Sequence, residues 1–178
     1  IGEEINKIRP VLIHGQLLGV DQLEMVKKLG VIPSFFVAHT YYWGDVHIKN
    51  FGKVRASKIS PAGSSKAKDI LFTFHQDAPV IKPNMFETIW CAVNRITKSG
   101  EILGNDEKID VLDAIKAVTI NAAYQYFEEN KKGSIKEGKL ADLIILDKNP
   151  LKVDKQDLRN VKVLENIKNG NTIWRRLI

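Results

Sequence analysis

Two short apolar runs near the start of the chain each end in histidine, and an amphipathic segment separates them. The first is VLIH, residues 11–14, and the second is the aromatic and β-branched VIPSFFVAH, residues 31–39. Between them Leu23, Val26 and Leu29 recur at helical spacing over residues 20–29, with Asp21 as the expected N-cap and Gly30 as the stop. This β-α-β order, with strands apolar enough to be buried on both faces, predicts a parallel α/β sheet.

Further along, residues 40–60 read as an irregular loop, long enough in a compact domain to be functional or mobile. Ser60-Pro61 predicts a short helix through Lys68, and ILFTF at 70–74 predicts a strand that runs on into HQDAP. Helices are expected over Met85–Thr97 and Asp110–Phe127, the latter with Leu112, Ile115, Ala122 and Ala123 on its apolar stripe. From Gly133 the pattern becomes all-β. The run LIIL sits between glycine-punctuated turns, and two strands flank Asn169-Gly170, a strong hairpin signal. A domain boundary is therefore expected near residue 132, dividing 1–132 from 133–178.

Composition narrows the function classes. Of the 178 residues 44% are hydrophobic and 27% charged, the balance of a globular chain rather than a disordered one. No apolar run approaches the roughly 18 residues of a membrane span, and IGEEINKIRP is no signal peptide. A chain that starts at Ile1 reads as a piece of something longer. The lone cysteine, Cys91, excludes an intrachain disulfide and fits a cytoplasmic protein; its apolar neighbours mark it as a buried small residue rather than a nucleophile. The net charge of +6 is scattered among acidic residues, so no nucleic-acid stripe is expected.

The residues that could carry chemistry are His14, His39 and Asp77, each at or just past the end of an expected strand. Side chains alternate along a strand, so His14 shares a face with Leu12, His39 with Val37 and Phe35, and Asp77 with His75 and Thr73. In α/β barrels catalytic residues gather at the C-terminal ends of strands. Two imidazoles and a carboxylate suit Zn²⁺ and related divalent ions. Taken singly, each histidine reads more readily as a capped or solvent-facing residue than as a ligand, and Asp77 before Ala-Pro as a turn residue. Trp43, Asp45 and His47 fall in the long loop, where substrate contacts are expected, and His75 is a candidate for contacting substrate or orienting a ligand. Trp90 and Trp174 are expected in the core, and Arg55 and Arg95 are expected to pair with a carboxylate, within the protein in preference to one in a substrate.

The string TFHQDAPV resembles the segment of the amidohydrolase superfamily that carries the metal-binding aspartate of barrel strand eight. More closely it resembles the amidohydrolase-3, YtcJ-like branch that includes N-substituted formamide deformylases. KKGSIKEGKLADLIILDKNP resembles the superfamily's exit from the barrel into a small β-sandwich. WCAVNRITKSGEILG and DVLDAIKAVTINAAYQYF are similar to its late barrel helices, VLIH to its strand-five and FVAHTYYWGD to its strand-six histidine segment. The resemblance implies the C-terminal part of a TIM-like (β/α)8 barrel, strands five to eight, followed by part of a β-sandwich. It implies that His14, His39 and Asp77 bind a divalent metal, zinc in the intact protein, and that Asp77 is the general base. Trp43, His47 and His75 would bind a small amide-type substrate whose C–N bond is hydrolysed.

The superfamily's His-x-His pair and strand-four ligand are not found in these residues, and no seventh strand is legible between His39 and Asp77. The expectation is therefore an enzyme as the intact protein. Alone, the chain is expected to be inactive, with weak metal binding or none and with apolar surface open to self-association or to pairing with an N-terminal half. The alternative is a degenerate, non-catalytic interaction or assembly domain.

Overall fold

The computed structural model describes residues 7–177. The expected parallel sheet is present: β1 (Val11–His14), β2 (Ile32–Phe35) and β3 (Thr73–Phe74) pair in the order β1-β2-β3. In register, Val11 faces Ile32, His14 faces Phe35, and Ser34 faces Thr73. Every residue of β2 is buried, as a strand covered on both faces must be. β1 has one neighbour among the described residues, and its Leu12 and Ile13 are exposed.

The β1–β2 crossover holds α1 (Leu23–Lys28), shorter than expected and capped at Gln22 instead of Asp21. Gln22 Oε1 accepts from the Gly19 N–H, which ties the cap into the preceding turn. Leu23 and Val26 bury against Ile70. The second strand stops four residues before His39, which opens a helix instead of closing a strand.

Residues 40–60 are not an irregular loop. They form α2 (His39–Tyr42) and α3 (Gly44–Ala56), with α4 (Ala62–Ala67) close behind. α3 buries only Gly44 and Ala56, and Gly52 breaks its backbone at φ 74°. A helix that rests on the protein through so little surface has no apolar stripe to read. Direct β2–β3 pairing also shows that, among the described residues, no further strand lies between β2 and β3.

α5 (Met85–Asn94) is the central helix. Asn84 Oδ1 accepts from the Phe86 and Glu87 N–H groups, and nearly every residue from Phe86 onward is buried, Trp90 and Cys91 included. It ends at Arg95, in the left-handed region at φ 51°, rather than at Thr97. The helix expected over Asp110–Phe127 is two, α6 (Val111–Val118) and α7 (Ile120–Gln125), broken at Thr119.

The tail builds an antiparallel sheet, β4 (Leu143–Leu146), β5 (Val163–Lys168) and β6 (Asn171–Arg175), in the order β4-β5-β6. Asn169 and Gly170 both take positive φ, 49° and 79°, the signature of a type I′ hairpin turn. A 3-10 helix, Lys155–Asn160, returns from this sheet to α5. The Trp90 indole donates to the Gln156 carbonyl at 3.0 Å, and Leu158 and Val161 join the main core beside Phe35, Phe74 and Ile89. Trp174 is not in the core: β6 is exposed along its length, and the Arg176 guanidinium lies over the indole at 5.7 Å.

The deepest polar group is Arg95, fully buried. Its Nε donates to the Leu103 carbonyl at 2.7 Å, its Nη1 to Ser60 at 3.2 Å and its Nη2 to Ile59 at 2.7 Å. The partner is thus three carbonyls, with the buried Glu107 carboxylate acting at longer range. Burial lowers the Arg95 pKa to about 10, and the Glu107 charge partly offsets this. Glu107 is itself held by the Ser64 N–H at 2.8 Å and hydroxyl at 2.6 Å. Arg55 forms no ion pair among the described residues and lies over the Phe51 ring. Arg95→Met should destabilise the protein by roughly 3–5 kcal/mol, because it strands the Ile59 and Leu103 carbonyls and removes the cation near a buried carboxylate, while Ser60 keeps its bond from the Ala62 N–H. Urea denaturation measures this, and a loss below about 1 kcal/mol would contradict the role given to Arg95.

Candidate metal centre

The parallel register brings three donors to one end of the sheet. His14 closes β1 opposite Phe35, and the His75 N–H donates to the Phe35 carbonyl at 3.2 Å, extending the β2–β3 ladder by one residue. Asp77 follows two residues later, on the same side as His75 by strand alternation. The segment is anchored from its other side by Gln76, whose amide exchanges two hydrogen bonds with the Asn84 backbone, at 2.5 and 2.6 Å. His14 and Asp77 both sit in the left-handed region, at φ 66° and 53°. That conformation is uncommon outside glycine, although His and Asp tolerate it better than most residues.

One ligand atom from each of His14, His75 and Asp77 lies within 4.8 Å of the others. The closest pair is His14 Nε2 and Asp77 Oδ2, 3.2 Å apart, with both side chains somewhat over two-fifths exposed. The His14 and His75 rings meet edge to face at 5.0 Å. His75 is held by the Ser34 hydroxyl, 3.0 Å from its Nδ1, while its Nε2 is buried with no partner among the described residues. Two nitrogens and a carboxylate oxygen are a donor set that fits a borderline divalent cation, and the orphaned His75 Nε2 is a buried atom on one of the residues that supply it.

His39 stands beside this group. Its ring packs against Phe36 and Trp43, each at a centroid distance of 4.7 Å, and its Nδ1 lies 3.3 Å from His47 Nε2. His47 stacks on Phe51, and Gln16 Nε2 approaches the same His47 Nε2 at 2.8 Å. With Gln16 donating, His47 Nε2 must accept. The proton in the His39–His47 contact then belongs to His39 Nδ1, leaving the His39 Nε2 lone pair free. Burial, reinforced by the charges of His47 and His14, lowers the His39 pKa to about 4, and Asp77 opposes the shift. Burial also lowers the His47 and His75 pKa values. Imidazoles held neutral are imidazoles able to bind a metal.

Of the seven side chains singled out in the sequence, His14, His75 and Asp77 converge. His39, His47 and Trp43 form an adjoining aromatic wall. Asp45 is turned away, accepting from the Ser99 N–H and hydroxyl at 3.1 and 2.6 Å. Sequence reasoning missed Ser34 and Gln16. The signal for Ser34 was a lone hydroxyl inside the apolar run VIPSFFVA; Gln16 gave none beyond its place two residues after His14.

Comparison with known proteins places the chain in a family. The family model described as the amidohydrolase family matches residues 3–174. The N-substituted formamide deformylase of Arthrobacter pascens is 30% identical over 160 residues, 89% of this chain and 30% of that protein. The putative amidohydrolase YtcJ of Bacillus subtilis (strain 168) is 26% identical over 171 residues, 93% of this chain and 32% of that protein. The chain thus spans about a third of the length of these relatives. Among solved structures, an uncharacterized metal-dependent hydrolase from Pyrococcus horikoshii superposes with a TM-score of 0.71 at 27% identity, covering 83% of this chain and 30% of that one. With nearly its whole length matched, this mixed α/β chain belongs to the amidohydrolase family.

Proposed function

We propose that these residues form part of a metal-dependent hydrolase acting on C–N bonds of amide type, with zinc as the metal. The observation that carries the reading is the His14, His75 and Asp77 donor group at the C-terminal end of three parallel strands. The deformylase relative supports amide-type chemistry, and the Pyrococcus structure supports a metal. A donor group with an unsatisfied buried nitrogen favours this over a degenerate assembly domain, which has no use for one.

The strands would belong to a TIM-like barrel and the tail to a small β-sandwich beginning near residue 133. If β3 is barrel strand eight, its direct pairing with β2 makes β2 the seventh strand and β1 the sixth. That is one place later than the sequence resemblance puts them. His14 then takes the strand-six position. His39 stays a candidate ligand through its free Nε2, and it feels the charges of His14, Asp77 and His75. Trp43 and His47, on the wall beyond His39, would meet a small-molecule substrate, whereas His75 lies nearer the ligands than a substrate contact requires. Turnover is proposed for the intact protein in the cytoplasm, not for these 178 residues by themselves. No helix among the described residues is long and apolar enough to cross a membrane.

A bound divalent ion would polarise the scissile carbonyl and make the attacking water more acidic. Asp77, already within hydrogen-bond reach of His14, would take the water's proton through one carboxylate oxygen and deliver it to the leaving amine. Neutral His14 Nε2 cannot both donate to Asp77 and serve as a ligand, so its proton must move to Nδ1 before the site is loaded.

Three outcomes are expected. Asp77→Asn in the intact protein should lower turnover of N-substituted formamides or simple amides by about 10²–10⁴-fold with the fold retained; activity within a few-fold of the parent would sink the base assignment. His14→Ala should lower bound zinc in elemental analysis, and unchanged stoichiometry would argue against ligation. The third concerns acid. A histidine whose folded pKa is about 4 binds its proton in the unfolded chain first, so stability present above pH 6.5 is lost as pH falls toward 4. Denaturation midpoints of metal-stripped protein should fall over that window and fall less for His39→Gln; identical slopes would contradict the burial of a neutral His39.

A further inference from the structure

We propose that His75 is itself a metal ligand, through Nε2, and that Ser34 is the residue that positions it for that role. This rests on the reading of the site as a metal centre. It departs from the set His14, His39 and Asp77 that the family resemblance supplies.

His75 has two ring nitrogens, and only Nδ1 is satisfied, by the Ser34 hydroxyl at 3.0 Å. Nε2 is buried and has no partner among the described residues. A buried polar atom left unpaired costs about 1–3 kcal/mol, so something is expected to meet it. There are two tautomers to consider. If Nδ1–H donates to Ser34 Oγ, Nε2 presents a lone pair. If Ser34 donates, Nε2 presents an N–H. The second arrangement has an acceptor in the same group, the Asp77 carboxylate, yet no hydrogen bond to Asp77 forms. The first arrangement needs an electrophile, and the group supplies that electrophile's other two donors.

The surroundings hold the ring in this pose. Ser34 is buried on the central strand, and in register it faces Thr73, two residues before His75. Phe36 lies tilted against the His75 ring at 5.6 Å. The imidazole is thus fixed on one side by a hydrogen bond and on its face by an aromatic, the arrangement by which an outer hydrogen bond sets a ligand's tautomer. The His14–Asp77 separation of 3.2 Å also suits a shared ion. Donors about 2.0–2.1 Å from a tetrahedral centre lie about 3.3 Å apart. Two nitrogens and one oxygen select a borderline cation such as Zn²⁺ or Co²⁺ over Mg²⁺ or Ca²⁺.

The test is zinc affinity in the full-length protein, read by competition with a chromophoric chelator, with the Co²⁺ absorption spectrum as a second readout. His75→Ala should weaken zinc by about 100-fold or more and alter the Co²⁺ bands through loss of a nitrogen donor. Ser34→Ala should weaken zinc by about 10-fold, and Ser34→Thr, which keeps the hydroxyl, should stay within about 3-fold of the parent. His14→Ala and Asp77→Asn serve as references. If they weaken zinc while His75→Ala does not, His75 is no ligand and this inference alone fails. If none of the variants changes zinc affinity, the metal-centre reading fails and takes the inference with it. A raised KM for His75→Ala with unchanged zinc affinity would return His75 to the substrate side and overturn the proposal. Should His75→Ala not fold, the Ser34 pair decides, and equal affinity for Ser34→Ala and the parent overturns the positioning role.

Discussion

The pairing of β2 with both of its neighbours is the constraint on which the candidate site depends. Phe35 is opposite His14 on one side, and its carbonyl accepts the His75 N–H on the other. Both histidines are therefore indexed to one residue of a fully buried strand. Asp77, 63 residues from His14 in sequence, reaches it because parallel strands place their C-terminal ends together. A one-residue slip of β3 would turn His75 and Asp77 to the face that Gln76 now occupies. Gln76, locked to the Asn84 backbone, works against that slip from the opposite side.

The same geometry explains what was legible in the sequence. His14, Asp77 and His75 could be read because each ends or continues an apolar run whose period fixes the side-chain direction. The Asn169-Gly170 turn could be read because its conformation demands those residue types. What escaped was structure held by few buried side chains. α3 rests on Gly44 and Ala56, so its sequence looks like loop. The break at Thr119 left no mark, since Val111–Gln125 carries one nearly continuous apolar pattern on two axes. Trp174 misled for the converse reason: a large aromatic signals burial on average, but β6 presents both faces to solvent among the described residues.

Arg95 shows how a polar residue can organise an apolar core. Its position invites an ion-pair reading, yet it binds the carbonyls of Ile59, Ser60 and Leu103, and for Ile59 and Leu103 no backbone N–H among the described residues takes its place. Those carbonyls belong to the segment after α3 and to the loop after α5. One guanidinium thus holds the long α2–α4 connection, and with it the wall of His39, Trp43 and His47, against the central helix. Lysine could not replace it, because a single ammonium lacks the planar fork that reaches three acceptors at once.

Electrostatics completes the link between fold and chemistry. The imidazoles of the wall lie close to one another, and each is pushed toward neutrality by burial, His39 most strongly. Mutual repulsion adds to the shift at His39 and at His75, so protonating one imidazole makes protonating its neighbour harder. Asp77 counters it from the more exposed edge, opposing the shifts at His39 and His75. The result is a gradient over a few side chains: neutral nitrogen donors on the buried side, an anionic oxygen at the rim. A divalent cation entering there would meet the carboxylate first and the lone pairs second, with the His14 proton moved to Nδ1 so that its Nε2 can bind.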